Sequence, residues 1–325
     1  MKKDKRLIGI DVGGTKCAIT LGMETAADIN IMDRLQFATT SCQETIDNLL
    51  KSIYTVLERN GLKAGDIAAM GISCGGPLDS QIGVVMSPPN LPGWNNIPIC
   101  DIITKEFGVP CALQNDANAC ALAEWCYGAG KGTNNMAFLT FGTGLGAGLV
   151  LDGKLYTGTN DNAGELGHIR LSDFGPVGYG KEGSFEGFCS GGGIAQLARN
   201  KVKEAMQMGQ KVNWCPEGNP DKITAKIVAE AMNEGDALAR SIYEISAKYL
   251  GRSLSILIDI INPEVIVIGS IYARNEEMMK PLMQAVIDFE ALPLASKVCR
   301  VVPAALGESI GDYAAISVAS TLKVD

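Results

Sequence analysis

Two short stretches, LIGIDVGGTKCAITLG beginning at Leu7 and MAFLTFGTGLGAGLVLDG beginning at Met136, constrain the fold of this chain more than any other feature. Each is an apolar run that meets a polar residue and glycines and then emerges as a second apolar run, the pattern of a buried strand, a tight turn and a returning strand. With Gly13 laid on Gly142, Asp11 falls on Thr140, Thr15 on Gly144 and Ala18 on Ala147. Two such units, 129 positions apart in that alignment (142 − 13), predict duplicated lobes. After each unit the chain alternates helical and strand patterns. TIDNLLKSIYTVLERNG has apolar residues at helical spacing and stops at Gly61, AAMGISCGG is a strand ending in glycines, and VPCALQNDANACALAEWCYGAG is a strand, a turn and a helix. In the second half ITAKIVAEAMNEG and ALARSIYEISAKYLGRSLSILIDIIN are helices, PEVIVIGS is a buried strand, and residues 310–322 form a closing helix. Alternating strands and helices give an α/β class. The repeat alone puts a boundary near residue 117.

Size and composition exclude several functions. A chain of 325 residues, 46% hydrophobic, has room for about two domains with their own cores. The net charge of −8, without a cluster of Lys and Arg, argues against a nucleic-acid partner, because phosphate binding needs clustered cations. The basic start reaches Asp11 within a few apolar residues, so it does not read as a secretion signal. The longest apolar region is broken by Asp259, Asn262, Pro263 and Glu264, so no membrane span is expected. Ten cysteines show no zinc-knuckle or redox-pair spacing and read as reduced thiols of a cytoplasmic protein.

The chemistry is expected in the glycine turns. Backbone N–H groups that point into a turn make an anion cradle, and glycine admits phosphate oxygens where a Cβ would obstruct them. Gly13, Gly14, Gly142 and Gly144 are the candidate cradles, with hydroxyls from Thr15, Thr140 and Thr143 as donors. Asp11, at the end of the first strand, is placed to hold Mg²⁺ through water. Either turn can equally be a plain hairpin. Asp116 opens the helical pattern ANACALAEW, where Asp is common simply as an N-cap. The same place keeps a carboxylate ionised, as a proton acceptor requires.

A single histidine sits in GELGHIR, residues 164–170. On a helical turn Glu165 and His168, three apart, face one side and can serve one ligand. From these residues alone His168 remains a metal ligand, a base, a ligand contact or a packed side chain.

DVGGT, GTGLGAG, QNDANACALAEW and GELGH, in this order and spacing, resemble the ROK family of sugar kinases and sugar-responsive repressors, within the actin-like ATPase superfamily. The resemblance runs from Leu7 to the last helix. It implies a two-lobed actin-like ATPase (ribonuclease H-like) α/β fold with a central ligand cleft, an N-terminal lobe of residues 1–117 joined by the final helix 310–325, and a C-terminal lobe of 118–309. It also implies ATP and Mg²⁺ held by Asp11, Gly13, Gly14, Thr15, Lys16, Thr140, Gly142, Thr143, Gly144 and Gly269. The sugar is implied to lie against Gly75, Gly76, Asn115, Asp116, Glu165, His168 and Glu186, with Asp116 as catalytic base. Family members are commonly homodimers, so a homodimer is expected.

In most members the loop before the last of those glutamates reads Cys-x-Cys-Gly-x-x-Gly-Cys-x-Glu, and its three cysteines join the histidine around a structural zinc. This chain has VGYGKEGSFE at residues 177–186. Gly180, Gly183 and Glu186 keep the register, while Val177, Tyr179 and Ser184 occupy the cysteine positions. One histidine without thiolates does not complete a four-coordinate site, so no structural zinc is expected, and packing by Val177, Tyr179 and Phe185 is expected to hold the loop instead. After the late strand, VIVIGSI keeps Gly269 but has Ser270 and Ile271 where the family often has glycines. SCGGPLD and SPPNLPGW match loops bordering the sugar, with Trp94 either packed or stacked. The resemblance implies an ATP-dependent kinase acting on a primary hydroxyl of a hexose or N-acylhexosamine. The alternatives are a sugar-binding sensor without turnover, or a regulator lacking a DNA-binding domain, since only six residues precede Leu7.

Overall fold

The computed structural model describes residues 4–25 and 28–322. The chain folds into two compact units, Met1–Gly132 with Gly148–Ala163 and Ala305–Asp325, and Thr133–Ala147 with Gly164–Ala304. The division therefore does not fall at residue 117. The strand Cys111–Asn115 runs directly into the helix Asp116–Tyr127, with no turn between them, and a boundary at 117 would cut that helix in its first turn.

In the first unit a hairpin forms the middle of a five-stranded sheet. Lys5–Val12 pairs antiparallel with Lys16–Glu24, which pairs antiparallel with Ile29–Ala38. On its other side Lys5–Val12 lies parallel to Ala69–Cys74, which lies parallel to Cys111–Asn115. The central strands are apolar on both faces, as strands covered on both sides must be. One face packs on the helix Cys42–Arg59, whose Ile46, Leu49, Ile53 and Val56 recur at helical spacing and are buried. Emptying one such site, as in Ile53→Ala, costs about 2–5 kcal/mol in comparable cores. The other face receives the closing helix Ile310–Ser320. A Cβ on Gly71 would stand 2.3 Å from the Ala315 carbonyl oxygen, so glycine in the strand is what lets helix backbone lie on sheet backbone.

In the second unit Met136–Phe141 lies parallel to Val265–Ile268, which lies parallel to Arg300–Pro303. The strand Leu145–Leu151 follows the second glycine turn and carries the chain from the second unit back into the first. The helix Ala237–Ile261 starts with Asp236 accepting from the Ala239 amide at 2.8 Å and stops at Asn262, in the left-handed region at φ 52°. Two long helices that the sequence pattern did not reveal, Gly191–Gln207 and Ile271–Glu290, complete this unit. Among the described residues no helix is long and apolar enough to cross a membrane.

Candidate functional site

In the first unit the carboxyl ends of three adjacent parallel strands bring the candidate residues together. Asp11 ends the first strand beside Ser73, Cys74 pairs with Asn115, and Gly75, Gly76 and Asp116 follow at once. In open α/β sheets this edge is where ligands bind. Asn115, not Asp116, caps the helix: its Oδ1 accepts from the Asn118 amide at 2.7 Å. Its side-chain N–H₂ is left as the group that can reach a ligand, which narrows the expectation that it both donates and accepts. Released from capping, Asp116 spends one oxygen on the Ala117 amide, at 2.8 Å, and its surface meets solvent.

Burial nevertheless raises the Asp116 carboxyl above the ordinary carboxylate range, and the Ala117 amide and its own amide lower it less. The pull of the helix start toward the ionised form is thus outweighed by desolvation. Asp11 is pushed up to about 6, first by burial and then by the like charges of Asp312 and Asp116, while Arg34 and Lys16 pull it down. Asp312, in the closing helix, is itself held by the Thr20 hydroxyl at 2.9 Å and Arg34 Nε at 2.8 Å.

The first turn is closed by Gly13 N–H on the Lys16 carbonyl at 3.1 Å and tied by the Thr39 hydroxyl to the Gly13 carbonyl at 2.6 Å. Thr15 and Lys16 are exposed. Asn90, from SPPNLPGW, fills the space beside both glycine loops: a Cβ on Gly14 would come within 2.6 Å of its carbonyl oxygen, and one on Gly75 within 3.1 Å of its side chain. Trp94 is fully buried and packs in the core.

In the second unit the equivalent turn is built differently. The Thr140 hydroxyl accepts from the Gly146 amide at 2.8 Å and donates to the Gly146 carbonyl at 3.3 Å. It is committed to the hairpin, which corrects its expected role as a phosphate donor. Thr143 is exposed. The helix Gly191–Gln207 begins on this turn, with Gly191 N–H on the Gly142 carbonyl at 2.8 Å and Gly192 N–H on the Thr143 carbonyl at 3.2 Å. Gly269 gives its N–H to Leu139, so it has none for a nucleotide. Ser270 has a positive φ of 54°, with ψ −112°, a backbone conformation in which a glycine would sit without strain.

Glu165, His168 and Glu186, the residues of this unit expected to face a sugar, lie on two short helical turns. Leu166–His168 is one turn of 3₁₀ helix with Glu165 at its cap, so Glu165 and His168 fall on the same side, and both are exposed. The Glu186 carboxylate turns onto the second glycine loop, where Oε2 accepts from the Leu145 amide at 3.0 Å, and a Cβ on Gly144 would come within 2.9 Å of that oxygen. Glu186 therefore keeps one oxygen for a ligand.

The loop lacking the zinc cysteines is not held as expected. Val177 is 44% and Tyr179 78% exposed, and only Phe185 is buried. Hydrogen bonds do the work instead. Gln196 accepts from the Val177 amide at 3.0 Å and donates to the Val177 carbonyl at 2.8 Å. The Ser184 hydroxyl, fully buried, accepts from the Gly187 amide at 3.1 Å and reaches the Gly178 carbonyl at 3.5 Å. Lys181 Nζ donates to the His168 carbonyl at 2.8 Å, and the Tyr179 ring stands edge-on to the imidazole, with centroids 6.5 Å apart. Among the described residues no group of three or more His, Cys, Asp and Glu is arranged to hold a metal ion.

Sequence reading overlooked Asp312, Gln196 and the role of Asn90. Asp312 lies too far along the chain from Asp11 for any local pattern to connect them, whereas Asn90 stood inside a quoted loop and gave no sign of what it touches.

A model described as the ROK family matches residues 7–321. A glucokinase of Thermotoga maritima is 31% identical over 315 residues, covering 96% of both chains. The structure of a ROK family glucokinase from Streptomyces griseus in complex with glucose and AMPPNP is similar with a TM-score of 0.76 and 26% identity, covering 98% of this chain and all of that one. A ROK family transcriptional regulator, a homologue of the E. coli MLC protein, is similar with a TM-score of 0.82 and 25% identity, over 96% of this chain and 77% of that one.

Proposed function

This chain belongs to the ROK family, and from that premise we propose that it is an ATP-dependent kinase for a hexose or N-acylhexosamine, with Asp116 as general base toward the primary hydroxyl. The observation that carries the reading is the placement of Asn115 and Asp116 at a strand end, with the cap taken by Asn115 and one Asp116 oxygen left without a protein partner in its helix. A carboxyl raised by burial also suits the task, because a proton acceptor works better as its pKa moves toward the working pH.

In the proposed reaction the sugar hydroxyl oxygen attacks the γ-phosphorus while its proton passes to Asp116. The bond from that phosphorus to the β–γ bridging oxygen breaks, and ADP leaves with the bonding electrons. Asn115, Glu165, His168 and Glu186 would hold the remaining hydroxyls, and one such hydrogen bond can separate epimers. The first and second glycine turns would receive the phosphates. Gly142 supports this: its φ is not in the left-handed region, and a Cβ there would meet nothing closer than Ser270 Oγ at 3.8 Å. The protein itself does not require glycine at this position, whereas a phosphate in contact with the turn would.

Asp11 fits a magnesium ion. A buried carboxyl raised by two neighbouring carboxylates is a place where a divalent cation is favoured. Bound there through water, Mg²⁺ would offset the charge of the phosphates. The reading carries with it a cytoplasmic homodimer. The second reading is a sugar sensor without turnover, favoured by the likeness to a ROK regulator and by the missing zinc cysteines. ADP release measured over a panel of hexoses, hexosamines and their N-acetyl forms separates the two. A kinase gives sugar-dependent ADP with one subset, and a sensor gives sugar binding with no ADP.

A further inference from the structure

The segment 168–187 holds three of the four positions at which the family's zinc ligands would stand in one bonded arrangement, and each is fixed by protein alone. At 177 both backbone polar groups are taken by one side chain, Gln196, which reaches from the helix Gly191–Gln207 and pairs with Val177 as a neighbouring strand would. At 184 the serine hydroxyl joins Gly178 to Gly187 and caps the short helix Phe185–Phe188 that carries Glu186. At 168 the histidine carbonyl is held by Lys181 from the opposite side of the loop. The fourth position, Tyr179, is exposed and bonds nothing in the loop core. Backbone bonds close the remainder: Leu171 and Ser172 amides donate to the Gly183 carbonyl at 2.8 and 3.1 Å, and the Gly183 amide donates to the Pro176 carbonyl at 3.0 Å.

We propose that Gln196, Ser184 and Lys181 form a hydrogen-bonded clasp that replaces the zinc ion, and that they are positioning residues for the sugar contacts His168 and Glu186. The geometry states the division of labour. Ser184 sets the helix turn from which Glu186 reaches the second glycine loop, and Lys181 sets the backbone of the histidine. Gln196 anchors the strand between them to a long helix that supplies rigidity. A metal cage would need four deprotonated or neutral donors aimed at one point, and here valine and tyrosine side chains face solvent while the serine oxygen is spent on backbone. Gln196 and Lys181 bear directly on the loop backbone and on His168, and reach the second glycine turn only through Glu186 and the helix start, so their loss should alter sugar affinity more than nucleotide affinity. Its role in affinity rests on the kinase reading above, while its role in fixing the loop does not.

The test uses the full-length protein with three variants. Gln196→Ala removes both bonds to Val177, Gln196→Glu keeps the acceptor and loses the donor, and Lys181→Met frees the histidine carbonyl. Gln196→Ala is expected to raise the sugar KM about tenfold with a smaller change in the ATP KM, and Lys181→Met to raise it less, as one or two lost hydrogen bonds would. Gln196→Glu should fall between wild type and alanine. Amide hydrogen exchange at Leu171, Ser172, Val177 and Gly183 should accelerate in the same order, a change a remote structural defect would not confine to this loop. A zinc-selective chelator should leave loop exchange and sugar KM of the wild type unmoved. One zinc per chain whose removal loosens the loop would overturn the clasp, as would unchanged loop exchange in Gln196→Ala. If no sugar gives ADP yet the loop loosens in that order, the kinase reading fails and the clasp stands.

Discussion

The two glycine hairpins share a backbone plan and divide its chemistry. Each has an apolar strand, a turn at Gly13 or Gly142 and a returning strand, and each leading strand continues through the same parallel neighbours in its sheet. At the aligned position one carries Asp11 and the other Thr140. Asp11 is a strained charge, pushed up to about 6 by burial and by two neighbouring carboxylates. Thr140 is satisfied, its hydroxyl closed on Gly146 from both directions. The residue at one aligned position of a duplicated turn can thus carry a charge in one copy and brace the hairpin in the other. The difference is set by whether the side chain finds its partner inside the hairpin.

The largest expected effect lies beside the charged hairpin. Asp116→Asn removes the proposed proton acceptor and keeps the side chain's shape, and should lower kcat by about 10²–10⁴-fold with the sugar KM little changed, measured by coupled ADP assay. Wild-type rate in a folded variant would end the assignment of the base. Asp11→Asn tests the other carboxylate in two opposite directions. It should reduce activity and its magnesium dependence while making the protein more stable near pH 8. The sign follows from the pKa: Asp11 titrates at about 6 in the folded chain against 3.8 unfolded, so the folded state binds its proton more readily. The ionised form is then a liability that is absent below pH 3.8, grows as pH rises through about 6, and is full above it. A Tm for Asp11→Asn that fails to exceed the wild type at pH 8 would contradict the strained-charge account, as would a Tm gap that does not narrow at pH 5.

Gly142→Ala sharpens the comparison from the other hairpin. With the nearest atom at 3.8 Å the methyl fits the protein, so Tm should stay near wild type while the ATP KM rises about tenfold. At Gly14 the same change meets the Asn90 carbonyl oxygen at 2.6 Å and should cost stability as well.

The two hairpins were legible in the sequence because their strands are apolar on both faces and their turns are marked by glycine. The long helix Ala237–Ile261 was legible as a helical pattern, while its left-handed stop at Asn262 was not. The helix Gly191–Gln207 was not, since it opens on three glycines that read as loop, and its start is fixed by the second turn and by Ser190, which accepts from the Gly193 amide at 3.0 Å. Ile271–Glu290 was hidden by Pro281 and by the irregular Asn275. In the site, residue types and spacing pointed to Asp11, Asp116, Glu165 and His168, and the family resemblance to Glu186, but hydrogen-bond ownership followed from neither. Which of Asn115 and Asp116 caps the helix depends on backbone angles at a strand-to-helix junction. The partner of Val177 lies on a helix 19 positions away, and a hydrophobic residue in a former ligand position suggested packing where the backbone was the group being held.

The smallest effect gives the strictest test of the division between the hairpins. Thr140→Val is close to isosteric and removes one hydroxyl that serves two hydrogen bonds, leaving the Gly146 amide without its acceptor. The cost should be about 1–3 kcal/mol, read from urea unfolding as a shift in midpoint without a change in slope. If Thr140 is purely mechanical, kcat and both KM values should follow the wild type wherever the variant is folded, and Thr140→Ser, which keeps the hydroxyl, should recover the stability lost by valine. A rise in the ATP KM in Thr140→Val that Thr140→Ser cancels, without a stability change, would give the second hairpin a ligand-binding hydroxyl after all. The two turns would then differ in charge and not in kind.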